Sequence, residues 1–281
     1  MSDRPYRSAL YIPASKPRAL EKALGLAADV ILFDLEDAVA PATKIAARET
    51  LKNALGERGS YVPRMRIVRI NGLDTEWGRD DARALAVMQC DAVLLPKVGS
   101  PTQIDEITNM LPGLPIWAMI ETPAGVLNAP KIAAHPAVTG LVMGTNDLAH
   151  DLRAHGRAAL GAALQMTVLA ARAAGIAVLD GVYNAFHDQD GLLAECQEGR
   201  ALGFDGKTLI HPDQIATANA IFAPTPDELA QARRQIVAFE QAEAAGQGVA
   251  VLDGRIVENL HVTSARAILA KADAIAALET S

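Results

Sequence analysis

The chain has 281 residues, of which half are hydrophobic and only 4% aromatic, and its formal net charge is -7. This length suits a single α/β barrel, and the negative charge argues against binding to nucleic acid or an anionic membrane, which needs a concentrated basic face. No apolar run has the length of a signal peptide or a membrane span, so we expect a cytoplasmic protein.

Eight apolar, β-branched runs recur along the chain and are predicted to be strands. They cover residues 8–14, 30–34, 65–70, 92–95, 116–120, 141–143, 176–179 and 207–210. Alanine-rich stretches with helical spacing lie between most of them, and this alternation is typical of a parallel sheet covered on both faces. With eight such units and no GxGxxG after the first strand, the sequence predicts a (β/α)8 TIM barrel.

The pattern changes after residue 224. Thr225, Pro226 and Glu228 have the spacing of a capped helix start, Asp253-Gly254 predicts a tight hairpin turn, and a last helix is expected from about residue 263 to 278. We therefore expect a barrel catalytic domain in residues 1–224 and a C-terminal helix-hairpin-helix appendage in residues 225–281. The periodicity leaves open whether this appendage is a packing cap or a lid over a barrel mouth.

Polar side chains follow most of the predicted strands at their carboxyl ends, where the loops of such a barrel converge on one mouth. They are Asp34, Glu36, Asp37, Arg69, Asn71, Lys97, Glu121, Asn146, Asp147 and His211. Any one of them is also explained as a strand end that meets water. Their recurrence on six strands indicates a functional site.

Glu121 and Asp147 follow successive predicted strands, so their carboxylates are expected side by side. Mg²⁺ takes one or two protein carboxylates and leaves its other positions to water and substrate oxygens. The alternative is a pair of solvated acids, or Asp147 as a helix N-cap. Zinc is disfavoured because no cysteine or histidine pair is nearby.

Arg69 is alone among apolar neighbours near its strand end. It either pairs with an acid such as Glu36 or presents its planar guanidinium to a substrate carboxylate, and the two roles are compatible. Asp34, Glu36 and Asp37 place three acids within four residues, where mutual repulsion requires a cation. Arg69 and the metal are the expected counter-charges.

A basic segment follows the first predicted strand, with Tyr11 ahead of Lys16, Arg18 and Lys22. Basic side chains at a helix N-terminus can hold the phosphates of a nucleotide-type ligand. A solvated helix face is the simpler interpretation of this pattern taken alone.

Seven motifs resemble, in order and spacing, the family of the citrate lyase β-subunit and malyl-CoA lyase. They are RSALYIP from Arg7, FDLEDAV from Phe33, VRIN from Val68, LPK from Leu95, IETPAG from Ile120, GTNDL from Gly144 and GFDGKTLIHP from Gly203. The resemblance implies a Mg²⁺-dependent barrel enzyme, assembled as a homotrimer or hexamer, that cleaves or forms the bond between an acyl-CoA thioester and a 2-oxo acid. It also implies that Glu121 and Asp147 bind the metal and that Arg69 binds the oxo acid.

The same resemblance extends to the CoA site and to the C-terminal hairpin. Tyr11, Lys16, Arg18 and Lys22 match the CoA-binding region, and Ile210 with His211 matches a second stretch of that pocket. The hairpin is similar to the family's C-terminal segment, in which many members offer a catalytic aspartate to the neighbouring subunit's site. Here Glu258 stands at that position, and its carboxylate reaches about one methylene farther.

These observations predict a Mg²⁺-dependent carbon–carbon lyase that acts on malyl-CoA, citramalyl-CoA or a citryl thioester. Arg69 would offset charge on the forming oxo acid, while Glu258 or an acid such as Glu36 or Asp37 would move the proton. Two alternatives remain open, namely an HpcH-type aldolase acting on free hydroxy-oxo acids and a non-catalytic relative that binds CoA or serves in a complex. The basic segment favours a CoA ligand, and the intact set of Glu121, Asp147 and Arg69 favours catalysis.

Overall fold

The structure is a computed structural model that describes residues 4–56 and 61–280. The chain divides into two compact units, one formed by Tyr6–Phe222 and one that includes everything from Ala223 onward. No helix in the described ranges is long and apolar enough to cross a membrane.

Eight parallel strands close into a barrel in chain order, and the last strand pairs with the first. They are β1 (Ser8–Pro13), β2 (Val30–Asp34), β3 (Met65–Arg69), β4 (Ala92–Leu95), β5 (Ile116–Ile120), β6 (Val138–Met143), β7 (Ala177–Asp180) and β8 (Gly206–Leu209). The predicted TIM barrel is confirmed, and each predicted strand overlaps an observed one. The largest difference is in β6, where Gly140 interrupts the apolar pattern because a Cβ there would lie 2.4 Å from the Trp117 ring.

Nine α-helices accompany the strands in the described part of this unit. They are α1 (Pro17–Ala23), α2 (Lys44–Gly56), α3 (Gly78–Leu85), α4 (Pro101–Met110), α5 (Pro123–Ala133), α6 (Thr145–Leu152), α7 (Gly161–Ala174), α8 (Gln189–Leu202) and α9 (Ile215–Phe222). Alternate strand residues such as Leu32, Ile67 and Trp117 fill the barrel interior, whereas Ile31 and Phe33 belong to the larger core that also includes the helices. Both faces of the sheet are therefore buried, which explains why the strands appear in the sequence as continuous apolar runs.

The second unit contains helix α10 (Pro226–Ala244), the antiparallel strands β9 (Ala250–Leu252) and β10 (Arg255–Val257), and helix α11 (Asn259–Glu279). The predicted capping box is present, since Glu228 N donates to Thr225 Oγ1 over 3.2 Å and Thr225 N donates to Glu228 Oε2 over 2.7 Å. Asp253 and Gly254 both have positive φ, 51° and 74°, as a tight hairpin turn requires. Helix α11 begins four residues before its predicted start because the Glu258 backbone N–H donates to His261 Nδ1 and caps it.

Candidate active site

A cavity of about 310 Å³ opens among the carboxyl ends of the barrel strands. Its lining includes Tyr11, Asp34, Asp37, Arg69, Met119, Glu121, Asn146, Asp147, Asn184, Thr208 and Ile210. The barrel therefore gathers residues that are up to 199 positions apart, from Tyr11 to Ile210, around one space.

Arg69 is fixed by the strand next to its own. Asp34 and Arg69 are register partners of β2 and β3, and Arg69 Nε and Nη2 donate to Asp34 Oδ1 and Oδ2 over 2.8 and 2.7 Å. Asp34 also accepts the backbone N–H groups of Glu36 and Ala38. Asp34 thus binds the Nε and Nη2 edge of the guanidinium, and the Nη1 group remains for other contacts.

The remaining Arg69 nitrogen meets two more acids. Arg69 Nη1 lies 3.0 Å from Glu36 Oε2 and 3.2 Å from Asp37 Oδ2. The Arg69 guanidinium carbon also lies 4.8 Å from the centre of the Tyr11 ring, within cation–π range. Tyr11 therefore contacts Arg69, the residue predicted to bind the oxo acid, inside the cavity.

Glu36 is buried and incompletely satisfied. Burial raises its pKa, although the charge of Arg69 opposes the shift. Its Oε2 atom makes no aligned hydrogen bond among the described residues, despite its closeness to Arg69. The nearby charge of Arg69 compensates this buried oxygen only in part, because no donor is aligned with it, so it can accept a further donor or cation.

Glu121 and Asp147 line the same cavity, and Lys97 contacts both of them. The Lys97 backbone N–H donates to Glu121 Oε1 over 2.7 Å, and Lys97 Nζ lies 3.4 Å from Asp147 Oδ2. Burial, followed by the charge of Glu36, raises the pKa of Glu121 to about 7. Asp147 is not the N-cap of α6, as one alternative had it, since Gly144 holds that position.

The residue facing Glu121 has to be a glycine. A Cβ at Gly144 would lie 2.4 Å from both Cβ and Oε2 of Glu121, closer than packed atoms approach. Among the described residues, no three His, Cys, Asp or Glu side chains are arranged as a metal cage. A site built on Glu121 and Asp147 would thus be a two-carboxylate site.

Negative charge exceeds positive charge in this cluster. Its five carboxylates belong to Asp34, Glu36, Asp37, Glu121 and Asp147, and its three cations to Arg69, Lys97 and Lys44. Lys44, which the sequence analysis missed, donates its buried ammonium to the carbonyls of Leu35 and Glu36 over 3.0 and 2.7 Å. The excess is two negative charges, which matches one divalent cation.

The residues matched to CoA binding lie on the β1 and β8 side of the mouth. Lys16, Arg18 and Lys22 are exposed on or next to α1, and within the described residues no ion pair involves them. Ile210 lines the cavity, and His211 stacks on Phe186 with ring centres 4.7 Å apart. Because β1 pairs with β8, the two segments are neighbours in the barrel.

Glu258 belongs to the second unit, where it is exposed at the N-terminus of α11. Val251 and Ile256 are register partners in the hairpin, and they are 71% and 59% exposed. This unit thus carries an apolar hairpin face next to an exposed carboxylate.

Two asparagines at the mouth contact each other. Asn146 was noted in the sequence without a specific role, and Asn184 was not predicted. Asn184 Nδ2 donates to Asn146 Oδ1 over 2.7 Å, so the segment after β7 is joined to the first turn of α6 at the mouth of the cavity. Asn184 follows a short strand within the polar segment 181–190, where the sequence offers no periodic signal. The direct pairing of β6 with β7 brings it to Asn146.

The chain matches known proteins over its whole length. The profile of the HpcH/HpaI aldolase/citrate lyase family matches residues 7–212, and a profile described as C-C bond lyase of the TIM-barrel fold matches residues 154–276. A (3S)-malyl-CoA thioesterase from Cereibacter sphaeroides is 59% identical over 280 residues, covering 99% of this chain and 98% of that protein.

Two further relatives carry other names. An L-malyl-CoA/beta-methylmalyl-CoA lyase from the same strain of Cereibacter sphaeroides is 33% identical over 98% of this chain and 96% of that protein. Among solved structures, the protein CitE from Mycobacterium tuberculosis in complex with magnesium, acetoacetate and coenzyme A has a TM-score of 0.80 and 31% identity, covering 96% of this chain and 99% of that chain.

Proposed function

The chain belongs to the HpcH/HpaI aldolase/citrate lyase family, and on that premise we propose that it is a Mg²⁺-dependent enzyme that hydrolyses a malyl-type CoA thioester. The products would be the free hydroxy-dicarboxylic acid and CoA. The observation that carries this proposal is the 59% identity, over 99% of the chain, to a (3S)-malyl-CoA thioesterase. The cavity with Arg69 on one wall and Glu121 on another is consistent with a small, acidic acyl group.

The metal part of the proposal rests on the composition of the cluster. Five carboxylates against three cations, and a buried Glu36 oxygen without an aligned donor, fit one added divalent cation. Glu121 and Asp147 would hold it, as two carboxylates suffice for Mg²⁺ when water and substrate supply the other oxygens. Once bound, Mg²⁺ supplies Lewis-acid polarisation of the substrate oxygens. The CitE structure named above contains magnesium.

Arg69 would bind and orient the carboxylate of the acyl group. Its Nε and Nη2 are held by Asp34, so the guanidinium plane is fixed before substrate arrives and little ordering is lost on binding. The Nη1 group faces Glu36 and Asp37, and a substrate carboxylate would compete with them for it. Such a contact restricts the thioester carbon to one position.

The CoA portion would extend out of the mouth over β1 and β8. The cavity lies at the lower end of the size range of ligand pockets, which suits a short acyl group but not a complete CoA. Lys16, Arg18 and Lys22 would bind the phosphates of CoA. Ile210 and His211 would contact the CoA portion from its opposite side. This assignment deepens the earlier prediction and favours a thioester over a free hydroxy-oxo acid.

We further propose that residues 225–281 act as a lid on the barrel of a neighbouring subunit in a homotrimer or hexamer. Its exposed pair Val251 and Ile256 would pack on an apolar surface of the neighbour, and Glu258 would then enter the neighbour's mouth. In hydrolysis, Glu258 would accept a proton from the water that attacks the thioester carbon, while the C–S bond breaks and the thiolate leaves.

Carbon–carbon cleavage, which the sequence analysis predicted, stays as the second candidate. It is favoured by the similarity to a malyl-CoA lyase and by the presence of Arg69, Glu121 and Asp147. In this reaction the substrate hydroxyl loses its proton, the adjacent C–C bond breaks, and an oxo acid and an acyl-CoA form. Both reactions use the same binding groups.

One assay separates the two candidates. Purified protein is incubated with (3S)-malyl-CoA and Mg²⁺, and free thiol is followed with a disulfide reagent while glyoxylate is trapped as its phenylhydrazone. Thiol and malate without glyoxylate would support hydrolysis, and glyoxylate with acetyl-CoA would support cleavage. If malyl-CoA, citramalyl-CoA and a citryl thioester all yield neither free thiol nor an oxo acid, both hydrolysis and carbon–carbon cleavage are refuted.

A further inference from the structure

Lys97 touches both residues of the proposed metal site in two different ways. It follows β4 with a left-handed backbone, at φ 52°, and its N–H donates to Glu121 Oε1 over 2.7 Å. Its ammonium lies 2.9 Å from Glu36 Oε1 and 3.4 Å from Asp147 Oδ2. The Lys97 ammonium is therefore close to Asp147, one of the two acids that a divalent cation would need.

An ammonium and a divalent cation at Asp147 would weaken each other's binding. Mg²⁺ binds carboxylate oxygens at about 2.0–2.1 Å, and two cations beside one carboxylate repel each other, here with partial screening because the Lys97 and Asp147 side chains are 50% and 44% exposed. Glu36 gives Lys97 a second carboxylate, at the shorter distance of 2.9 Å. Lys97 can thus leave Asp147 without losing its ion pair.

We propose that Lys97 is an internal counter-cation that competes with the divalent cation for Asp147 and so weakens cation binding when no substrate is present. The inference rests on the proposed function, because it takes Glu121 and Asp147 as the cation ligands. Lys97 is a positioning residue, acting through Asp147 and Glu36.

Competition of this kind couples the cation to the substrate. The cluster without Lys97 has three more carboxylates than cations, so an added divalent cation would be bound tightly on its own. With Lys97 the excess falls to two, and a substrate carboxylate restores negative charge beside the cation. Free cation is then bound weakly, and cation with a dicarboxylate is bound tightly.

The test is Mn²⁺ binding, measured by the electron paramagnetic resonance of free Mn²⁺ at pH 8 and low ionic strength, with and without malate. Lys97→Gln retains the backbone N–H and removes the charge, and Lys97→Arg retains both. Lys131→Gln is the matched control, since Lys131 is exposed near the end of α5 and the change in net charge is the same. Thermal unfolding verifies that each variant is folded.

Without malate, Lys97→Gln should bind Mn²⁺ about tenfold or more tightly than wild type, whereas Lys97→Arg and Lys131→Gln should stay within about threefold. The gain in affinity caused by malate should be smaller in Lys97→Gln than in wild type. Equal or weaker Mn²⁺ binding by Lys97→Gln would overturn the proposal, as would equal tightening in Lys131→Gln. A wild type that binds no Mn²⁺ even with malate would refute both the metal site and this inference. The expected Mn²⁺ shifts without thioester turnover would leave the inference standing and refute only the reaction.

Discussion

Asp34 holds Arg69 at two points, with Nε 2.8 Å from Oδ1 and Nη2 2.7 Å from Oδ2, across the carboxyl ends of neighbouring strands. The pair is buried, with side chains 1% and 8% exposed. A two-point ion pair fixes the plane of the guanidinium as well as its position. The direction in which Nη1 points is therefore set by the barrel.

Arg69→Lys should weaken binding of the small carboxylate ligand even though the charge is kept. A lysine has no planar fork, so it cannot pair with Asp34 and point a second donor into the cavity. We expect dissociation constants for malate and glyoxylate, measured calorimetrically with Mg²⁺, to rise about tenfold or more. Arg83→Lys is the control, because Arg83 is exposed on α3 and, among the described residues, forms an ion pair only with Asp80. Unchanged affinity would make Arg69 purely structural.

Glu121→Ala and Asp147→Ala should each remove most of the Mg²⁺-dependent activity. Each would delete one of two proposed protein ligands, so the cation would no longer be retained with substrate. Asp147 is only partly buried, so its variant should unfold near the wild-type temperature. The assay is turnover against Mg²⁺ concentration, with Asp151→Ala from the same helix as control. Full turnover of either variant, or undiminished wild-type activity in excess chelator, would contradict the metal site.

The eight strands and their order could be predicted because the signals are local. Apolar runs such as 116–120 mark buried strands by themselves, and parallel strands with helical crossovers leave few topologies. The contacts of Lys44 could not be predicted, since a lysine at the start of a helix resembles a solvated residue. Its burial depends on carbonyls of the β2 loop that fold over it. The link between Asn146 and Asn184 could not be predicted either, because Asn184 lies in a segment without helix or strand between β7 and α8, whose course the sequence pattern does not reveal.

The stability of the cation-free protein should fall as pH rises toward 7. Burial and then the charge of Glu36 raise the pKa of Glu121 from 4.5 to about 7, so the folded state binds a proton that the unfolded state releases in this window. Glu121→Gln should therefore have a higher Tm than wild type at pH 8 in chelator, by a few degrees, and the difference should disappear below about pH 4.5. A lower Tm for the variant at pH 8 would contradict the shift.

Protons should also compete with the cation at Glu121. A carboxylate must be ionised to bind Mg²⁺, so the Mg²⁺-induced rise in Tm should shrink as pH falls below about 7. Glu121→Gln should show almost no rise at any pH. Thermal unfolding at pH 5.5 and 8, with and without Mg²⁺, measures both effects.

The basic residues near α1 should control affinity for the CoA portion. Replacing Lys16, Arg18 and Lys22 together by glutamine should raise KM for the thioester about tenfold or more with little change in kcat, since phosphates bind equally in ground and transition states. The effect should weaken at high salt, because exposed charges are screened. Lys52, Arg83 and Lys131, all exposed on other helices of the barrel unit, provide the matched triple control. Equal KM in both triple variants would mean that this helix face is merely solvated.

Glu258 separates the two roles left open for residues 225–281. If this unit is a lid, its exposed apolar pair Val251 and Ile256 packs on a neighbour's barrel, and the nearby Glu258 carboxylate transfers a proton there. If it is a packing cap, Glu258 is only the solvated N-cap of α11, since its backbone N–H already bonds to His261. The two cases differ in whether the carboxylate itself is needed.

Glu258→Gln keeps the size of the side chain and its place at the helix start, but it removes the group that accepts a proton. In the lid case kcat should fall by roughly two to four orders of magnitude, the usual effect of losing a general acid or base, while ligand affinity changes little. Glu258→Asp should retain activity or raise it, because it restores the aspartate that many relatives of this family are expected to use at this position. Steady-state kinetics on malyl-CoA measure both variants, with Glu243→Gln, exposed near the end of α10, as control. Wild-type rates for Glu258→Gln would refute the lid, because a solvated helix cap can lose its charge without any effect on a distant proton transfer.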